Sequence, residues 1–137
     1  MIDKKCNLSE MQIIAANLAK KVKKGAVICL FGNLGVGKTT FSKALIKELT
    51  GNEEVTSPTF NIIQTYEGNN SQVSHFDLYR VKNLEELNYI SIDEALESSI
   101  SIIEWPEIAA NMLPSDAIKV YIDFAEEQDH RIINISY

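Results

Sequence analysis

The sequence predicts an α/β protein of the P-loop nucleotide-hydrolase type, three-layered, with a mixed, mostly parallel sheet lengthened by antiparallel strands. Three observations predict it. The apolar run Ala26–Phe31 leads straight into Gly32-Asn33-Leu34-Gly35-Val36-Gly37-Lys38-Thr39-Thr40, which fits G-x-x-x-x-G-K-[ST] from Gly32 to Thr39. After Lys38, Phe41, Leu45 and Leu49 fall on one helical face, so the order is strand, glycine loop, helix. Further on, two strand-like segments flank a glycine turn, and that antiparallel hairpin breaks a purely alternating βαβ order.

In chain order, Leu8–Gln12 opens the first helix, with Ser9 and Gln12 as a capping box. Ile13, Leu18 and Val22 mark its apolar face, and Lys20, Lys21, Lys23 and Lys24 form a solvated run ending near Gly25. The P-loop strand and helix follow, with Gly51 as the helix stop. A polar connection from Asn52 to Ser57 leads to Pro58 and the strand Asn61–Tyr66. Gly68-Asn69-Asn70 is a turn, and Gln72–Tyr79 alternates as the returning strand. Asn83 caps a short helix through Leu84, Leu87 and Ile90, and Ser91 with Glu94 caps another that ends near Glu97. Ile100–Glu104 reads as a strand with an acidic end. Pro106 starts a short helix to about Met112. Ala117–Phe124 and Arg131–Tyr137 close the sheet around the polar turn 126–130.

Residues 1–137 read as a single P-loop domain, without repeats or a linker. Hydrophobic content of 45% and charged content of 23% are those of an ordinary globular protein. The formal charge of −6 has the wrong sign for gripping nucleic acid directly, so DNA is not expected as a partner and RNA is expected only through another protein. No apolar run is long enough to span a membrane, and none follows a basic start as in a signal peptide. Cys6 and Cys29 do not make a disulfide framework, and Cys29 lies in the buried strand, so a reducing, cytoplasmic setting is expected. The two histidines, His75 and His130, lack metal-ligand spacing to a cysteine.

The loop itself dictates phosphate chemistry. Glycines let successive N–H groups converge as an anion nest, and the helix beginning at Lys38 aims its positive end at the same place. Lys38 reaches the β- and γ-phosphates, and Thr39 offers its hydroxyl to Mg²⁺. Hydrolysis also needs a carboxylate at the metal, and two acids end apolar strands. Glu104 is the better metal carboxylate, because its strand resembles a buried parallel neighbour of the P-loop strand. Asp77 either binds the metal through water or orients the attacking water. The plainer alternative for either is an acid capping the next turn. Trp105 is a stacking platform or partly buried core. Arg80 pairs with phosphate or with Asp77, and His75 reads as a sheet residue. Ser57 and Thr59 flank Pro58 where γ-phosphate switches sit, although a proline turn also explains them.

GNLGVGKTT, TSPTF (Thr56–Phe60), HFDLYR (His75–Arg80) and IEWPE (Ile103–Glu107) together resemble the bacterial TsaE family over nearly the whole chain, in order and spacing. The resemblance implies a small ATPase that binds and slowly hydrolyses Mg-ATP. Such a protein is required for threonylcarbamoyl-adenosine beside the anticodon of certain tRNAs. It implies action on a complex of TsaD and TsaB, with TsaC supplying threonylcarbamoyl-adenylate. It assigns phosphate and metal to Lys38 and Thr39, the metal site to Glu104, hydrolysis to Asp77, and a place by the nucleotide to Trp105. The segment like SPTF becomes a switch. Ser9, at the first helix entry, and Arg131 are implied near the base. Asn33 departs from the acidic residue common at that position, which faces away from the phosphates.

Two rivals stand beside this reading. A small-molecule kinase would use the same loop, but the chain is short and shows no arginine-rich lid. The second is a nucleotide-dependent switch with no catalytic task, such as a GTPase-like module. No N-K-x-D segment reads guanine, so adenine is favoured.

Overall fold

The computed structural model describes residues 2–52, 62–81 and 92–137, without the side chains of Ile2 and Arg80. Ser57, Thr59, the helix expected through Leu84–Ile90 and the cap at Ser91 lie outside the described residues, as does most of the connection after Asn52.

One seven-stranded sheet organises the chain. Its strands are β1 (Ile2–Asn7), β2 (Val27–Phe31), β3 (Ile63–Glu67), β4 (Gln72–Asp77), β5 (Ser99–Glu104), β6 (Ile118–Phe124) and β7 (His130–Ser136), in the spatial order β1-β7-β6-β2-β5-β4-β3. The sheet is mixed as expected. Parallel pairing is confined to the centre, where β2 lies between β6 and β5 and β4 adds beyond β5. The edges are antiparallel: β3 on β4, β7 on β6, and β1 on β7.

Helices cover both faces. α1 (Leu8–Ala19) and α2 (Lys38–Thr50) pack on one, sharing a core with Ile28, Leu30, Ile102, Val120 and Ile133. On the other face, Val27, Cys29, Phe76 and Ile103 pack with α3 (Ile92–Ser98) and the 3-10 helix Pro106–Met112. Residues of β2 alternate between the two cores. That is why the central strand reads as a continuous apolar run rather than an alternating one.

Several boundaries differ from the sequence expectation. β1 was not expected. It is an edge strand carrying Asp3, Lys4 and Lys5, with Cys6 the side chain it buries among those described, so it has no apolar alternation. Because β1 runs directly into α1, the cap is Asn7 and not Ser9. Asn7 Oδ1 accepts from Glu10 N at 2.9 Å, and Glu10 returns a bond to Asn7 N. The buried face is correspondingly rotated to Met11, Ile14, Ala15, Leu18 and Ala19, leaving Ile13 61% exposed. The two alanines are core because α1 and α2 pack closely there. The helix ends at Ala19, so the exposed lysines occupy the turns before Gly25. β4 stops at Asp77, where Leu78–Arg80 turns into a 3-10 helix instead of continuing the strand. Gly51 ends α2 in the left-handed region, φ 74°, as expected of a C-terminal glycine.

Both cysteines are free and buried. Burial pushes the Cys29 thiol from its ordinary 9.0 up to about 11. The folded state therefore keeps this proton where the unfolded chain releases it. Stability is expected to be intact below pH 9.0 and to fall as pH rises through that window, by about 2–3 kcal/mol. Urea melts at stepped pH check this, with Cys29→Ala lacking that component of the alkaline decline.

Candidate nucleotide site

The site forms where the central parallel strands end. β2 delivers the chain into the loop, and Gly32 there makes a close approach. A Cβ at this position would lie 2.6 Å from the Ile122 carbonyl oxygen and 2.7 Å from Val36 Cγ1. Gly32→Ala is expected to displace the loop from β6 and lower stability by about 1–3 kcal/mol, measured by thermal unfolding. Gly37 turns the chain into α2 at φ 121°, and its carbonyl accepts from Phe41 N at 2.9 Å to start the helix.

Lys38 is the first residue of α2 and is only 5% exposed. Its ammonium folds back over the loop, donating to Gly32 O and, at 3.4 Å, to Asn33 O. Nζ also sits 3.6 Å from the centroid of the Trp105 ring. Burial lowers the affinity of this amine for its proton, opposed by the charges of Glu104, Glu107 and Asp77. A phosphate entering here meets a cation held by weak acceptors that it readily replaces.

Glu104, at the end of β5, is 2% exposed. Its Oε1 accepts from Thr39 Oγ1 at 3.0 Å, and its Oε2 accepts from Ser42 Oγ at 3.3 Å. Nε2 of His75 lies 2.6 Å from the same Oε2. Asp77 is the register partner of Glu104 on β4, but its side chain caps the 3-10 helix, Oδ1 accepting from Tyr79 N at 3.1 Å. The strand-end capping role and a place at the site thus coincide in one residue. Trp105 adopts φ 59°, the left-handed region, and is the one non-glycine with positive φ among the described residues. Strain of this kind clusters at functional sites, and here it lays the indole over Lys38, with the Tyr79 ring 4.9 Å away.

Together these residues line a cavity of about 380 Å³ between the loop from Leu34 to Thr40 and Asp77, Tyr79, Glu104 and Trp105. The structure thus brings together Gly35, Lys38, Thr39, Thr40, Asp77, Glu104 and Trp105. Arg131 lies on the opposite flank of the loop. Its Nε donates to Val36 O at 2.7 Å and its Nη1 to His130 O at 2.8 Å, so it props the loop. A second cavity of about 250 Å³ opens there between Leu8, Met11, Thr40 and Arg131. Ser9 does not line it. It borders a separate groove between α1 and α2.

His75 and Ser42 were missed as site residues. Each had a signal: His75 shares a strand face with Asp77 two residues on, and Ser42 shares a helix face with Thr39.

A divalent cation fits the donor set. Thr39 and Glu104 offer hard oxygens at the mouth of the loop, and no three His, Cys, Asp or Glu among the described residues form a cage. In nucleotide sites generally, Mg²⁺ is held by one or two carboxylates completed by phosphate oxygens and water.

The comparisons agree with this architecture. Residues 6–133 match the family described as threonylcarbamoyl adenosine biosynthesis protein TsaE. A tRNA threonylcarbamoyladenosine biosynthesis protein TsaE from Rickettsia bellii is 38% identical, over 93% of this chain and 88% of that protein. Its counterpart in Bacillus subtilis is 32% identical, over 92% of this chain and 79% of that one. The crystal structure of Bacillus subtilis YdiB superposes with a TM-score of 0.76 at 30% identity, covering 98% of this chain and 83% of that one. The chain belongs to the TsaE family of threonylcarbamoyl adenosine biosynthesis proteins.

Proposed function

We propose that the chain binds and slowly hydrolyses Mg-ATP, and that this cycle serves the threonylcarbamoyl-adenosine modification of tRNA beside the anticodon through a complex of TsaD and TsaB. The observation that carries the ATP reading is the buried Glu104 carboxylate, held against Thr39 directly behind the P-loop. Its contact with Thr39 sets a hard anionic oxygen beside the loop, where a phosphate-bound cation needs one.

In the proposed cycle the loop amides cradle the phosphates, and Lys38 leaves Gly32 O for the β- and γ-oxygens. Mg²⁺, when bound, supplies charge neutralisation across those oxygens. Thr39 and Glu104 would hold it, and Asp77 would reach it through water. Asp77 accepts a hydrogen bond from the attacking water and fixes its direction. Trp105 and Tyr79 exclude bulk water from the γ-side. Ser57 and Thr59 serve as the switch that senses the γ-phosphate. The base lies toward Leu8 and Arg131 in the second cavity, with Ser9 nearby at the entry of α1. Arg131 is committed to backbone carbonyls, which suits slow turnover without an arginine finger in cis.

The chain's net charge of −6 supports contact with tRNA only through partners. No helix among the described residues is long and apolar enough to cross a membrane. Two free, buried cysteines suit the reducing cytoplasm that we propose as its setting. The test is reconstitution with TsaB, TsaC, TsaD, tRNA, threonine, bicarbonate and ATP. Omitting this chain is expected to reduce sustained modification, and adding Lys38→Ala, Asp77→Ala or Glu104→Ala is expected not to restore it. Full restoration by all three variants would refute the role of ATP turnover.

A further inference from the structure

Glu104 holds its position by contacts that the cycle above does not use. His75 is fully buried on β4, and its Nδ1 is the one buried side-chain polar atom without a hydrogen-bond partner among the described residues. Its other nitrogen sits 2.6 Å from Glu104 Oε2, an oxygen that already accepts from Ser42. An ionised carboxylate only accepts hydrogen bonds, so a bare Nε2 at this distance would set lone pair against lone pair. A proton on Nδ1 would also strand a buried donor, since that nitrogen has no partner, and orphaned buried N–H groups are rarer than under-satisfied acceptors.

We infer that His75 is a positioning residue that donates from Nε2 to Glu104 and, with Ser42, pins Oε2, so that Oε1 alone is turned toward Thr39 and the cation. The carboxylate then acts as a one-oxygen ligand of fixed direction. Thr39 Oγ1 is the partner that leaves Oε1 when the cation arrives, while the two bonds to Oε2 persist. β4 thereby carries two residues of the site at period two, His75 behind the carboxylate and Asp77 in front of it. The inference rests on the Mg-ATP reading for its consequence but not for its geometry.

Two measurements test it. Mg²⁺ is titrated into the protein with a non-hydrolysable ATP analogue, following the emission of Trp105, the chain's one tryptophan. His75→Phe, which keeps a ring without the donor, is expected to weaken the Mg²⁺ midpoint by about 10- to 100-fold, as loss of a group that orients a metal ligand does. His75→Gln, whose amide nitrogen reaches the place of Nε2, is expected to recover most of that loss, and Ser42→Ala to weaken the midpoint in the same direction. A His75→Phe midpoint shifted by less than that range, or His75→Gln as impaired as His75→Phe, overturns the inference. The second measurement is the ring ¹⁵N spectrum of the nucleotide-free protein, where only two histidines contribute. A His75 proton on Nε2 is expected. A ring protonated on Nδ1 alone overturns the inference even if the Phe variant fails to fold. If wild type shows no response to Mg²⁺, the Mg-ATP reading fails, and the spectrum still judges the hydrogen bond.

Discussion

Lys38→Ala is expected to abolish measurable Mg-ATP binding, weakening it by at least about a hundredfold. In the proposed complex the ammonium would make charge-assisted bonds to two phosphates, each contributing about 1.5–3 kcal/mol, and no other described cation lines the loop mouth to substitute. The loss has a structural side as well. Gly32 O and Asn33 O lose their donor, and the Trp105 ring loses the cation beneath it. Calorimetric titration of Mg-ATP into wild type and variant, with circular dichroism to confirm folding, measures the effect. An affinity close to wild type would mean that the amides alone hold the triphosphate.

The second large effect is expected at Glu104, and it separates chemistry from binding. Glu104→Gln keeps the volume and one acceptor for the donors around it, yet removes the charge at the cation. Hydrolysis is expected to fall by about 10²–10³-fold, the scale seen when a preorganised electrostatic contact is lost, while ATP without Mg²⁺ binds as before. Glu104→Ala adds a stability loss, because half-buried Thr39 and buried Ser42 and His75 all point at the vacated carboxylate. Asp77→Asn is the informative contrast. The amide oxygen still caps the turn at Tyr79 N, so stability is retained while hydrolysis falls. Single-turnover phosphate release compared with nucleotide binding separates these outcomes.

The phosphate loop was legible because its chemistry is local. Residues 32–39 form one contiguous pattern between a strand and a helix, and the structure places them so. The carboxylates at the ends of β4 and β5 were legible for a related reason, since an acid after an apolar run marks the end of a buried strand. What surrounds them was not. The contact between His75 and Glu104 depends on β4 being the parallel neighbour of β5, a pairing across sequence that periodicity does not specify. Ser42 looked like an ordinary helix residue until Glu104 was placed beside it. β1 escaped because an edge strand with three consecutive charged residues has no apolar signature, and the cap of α1 shifted from Ser9 to Asn7 with it. Arg131 illustrates a further limit. The family resemblance implies a place near the base, and what sequence does not show is that its Nε donates to the loop backbone at Val36, a tertiary contact.

Nucleotide-dependent action on TsaD–TsaB is the central claim, and pull-down of the purified complex on the immobilised chain tests it most directly. Association is expected to require ATP with Mg²⁺, to fail with Lys38→Ala, and to persist with Glu104→Gln when nucleotide is saturating. Equal capture with and without nucleotide, or no capture under any condition, would contradict the account.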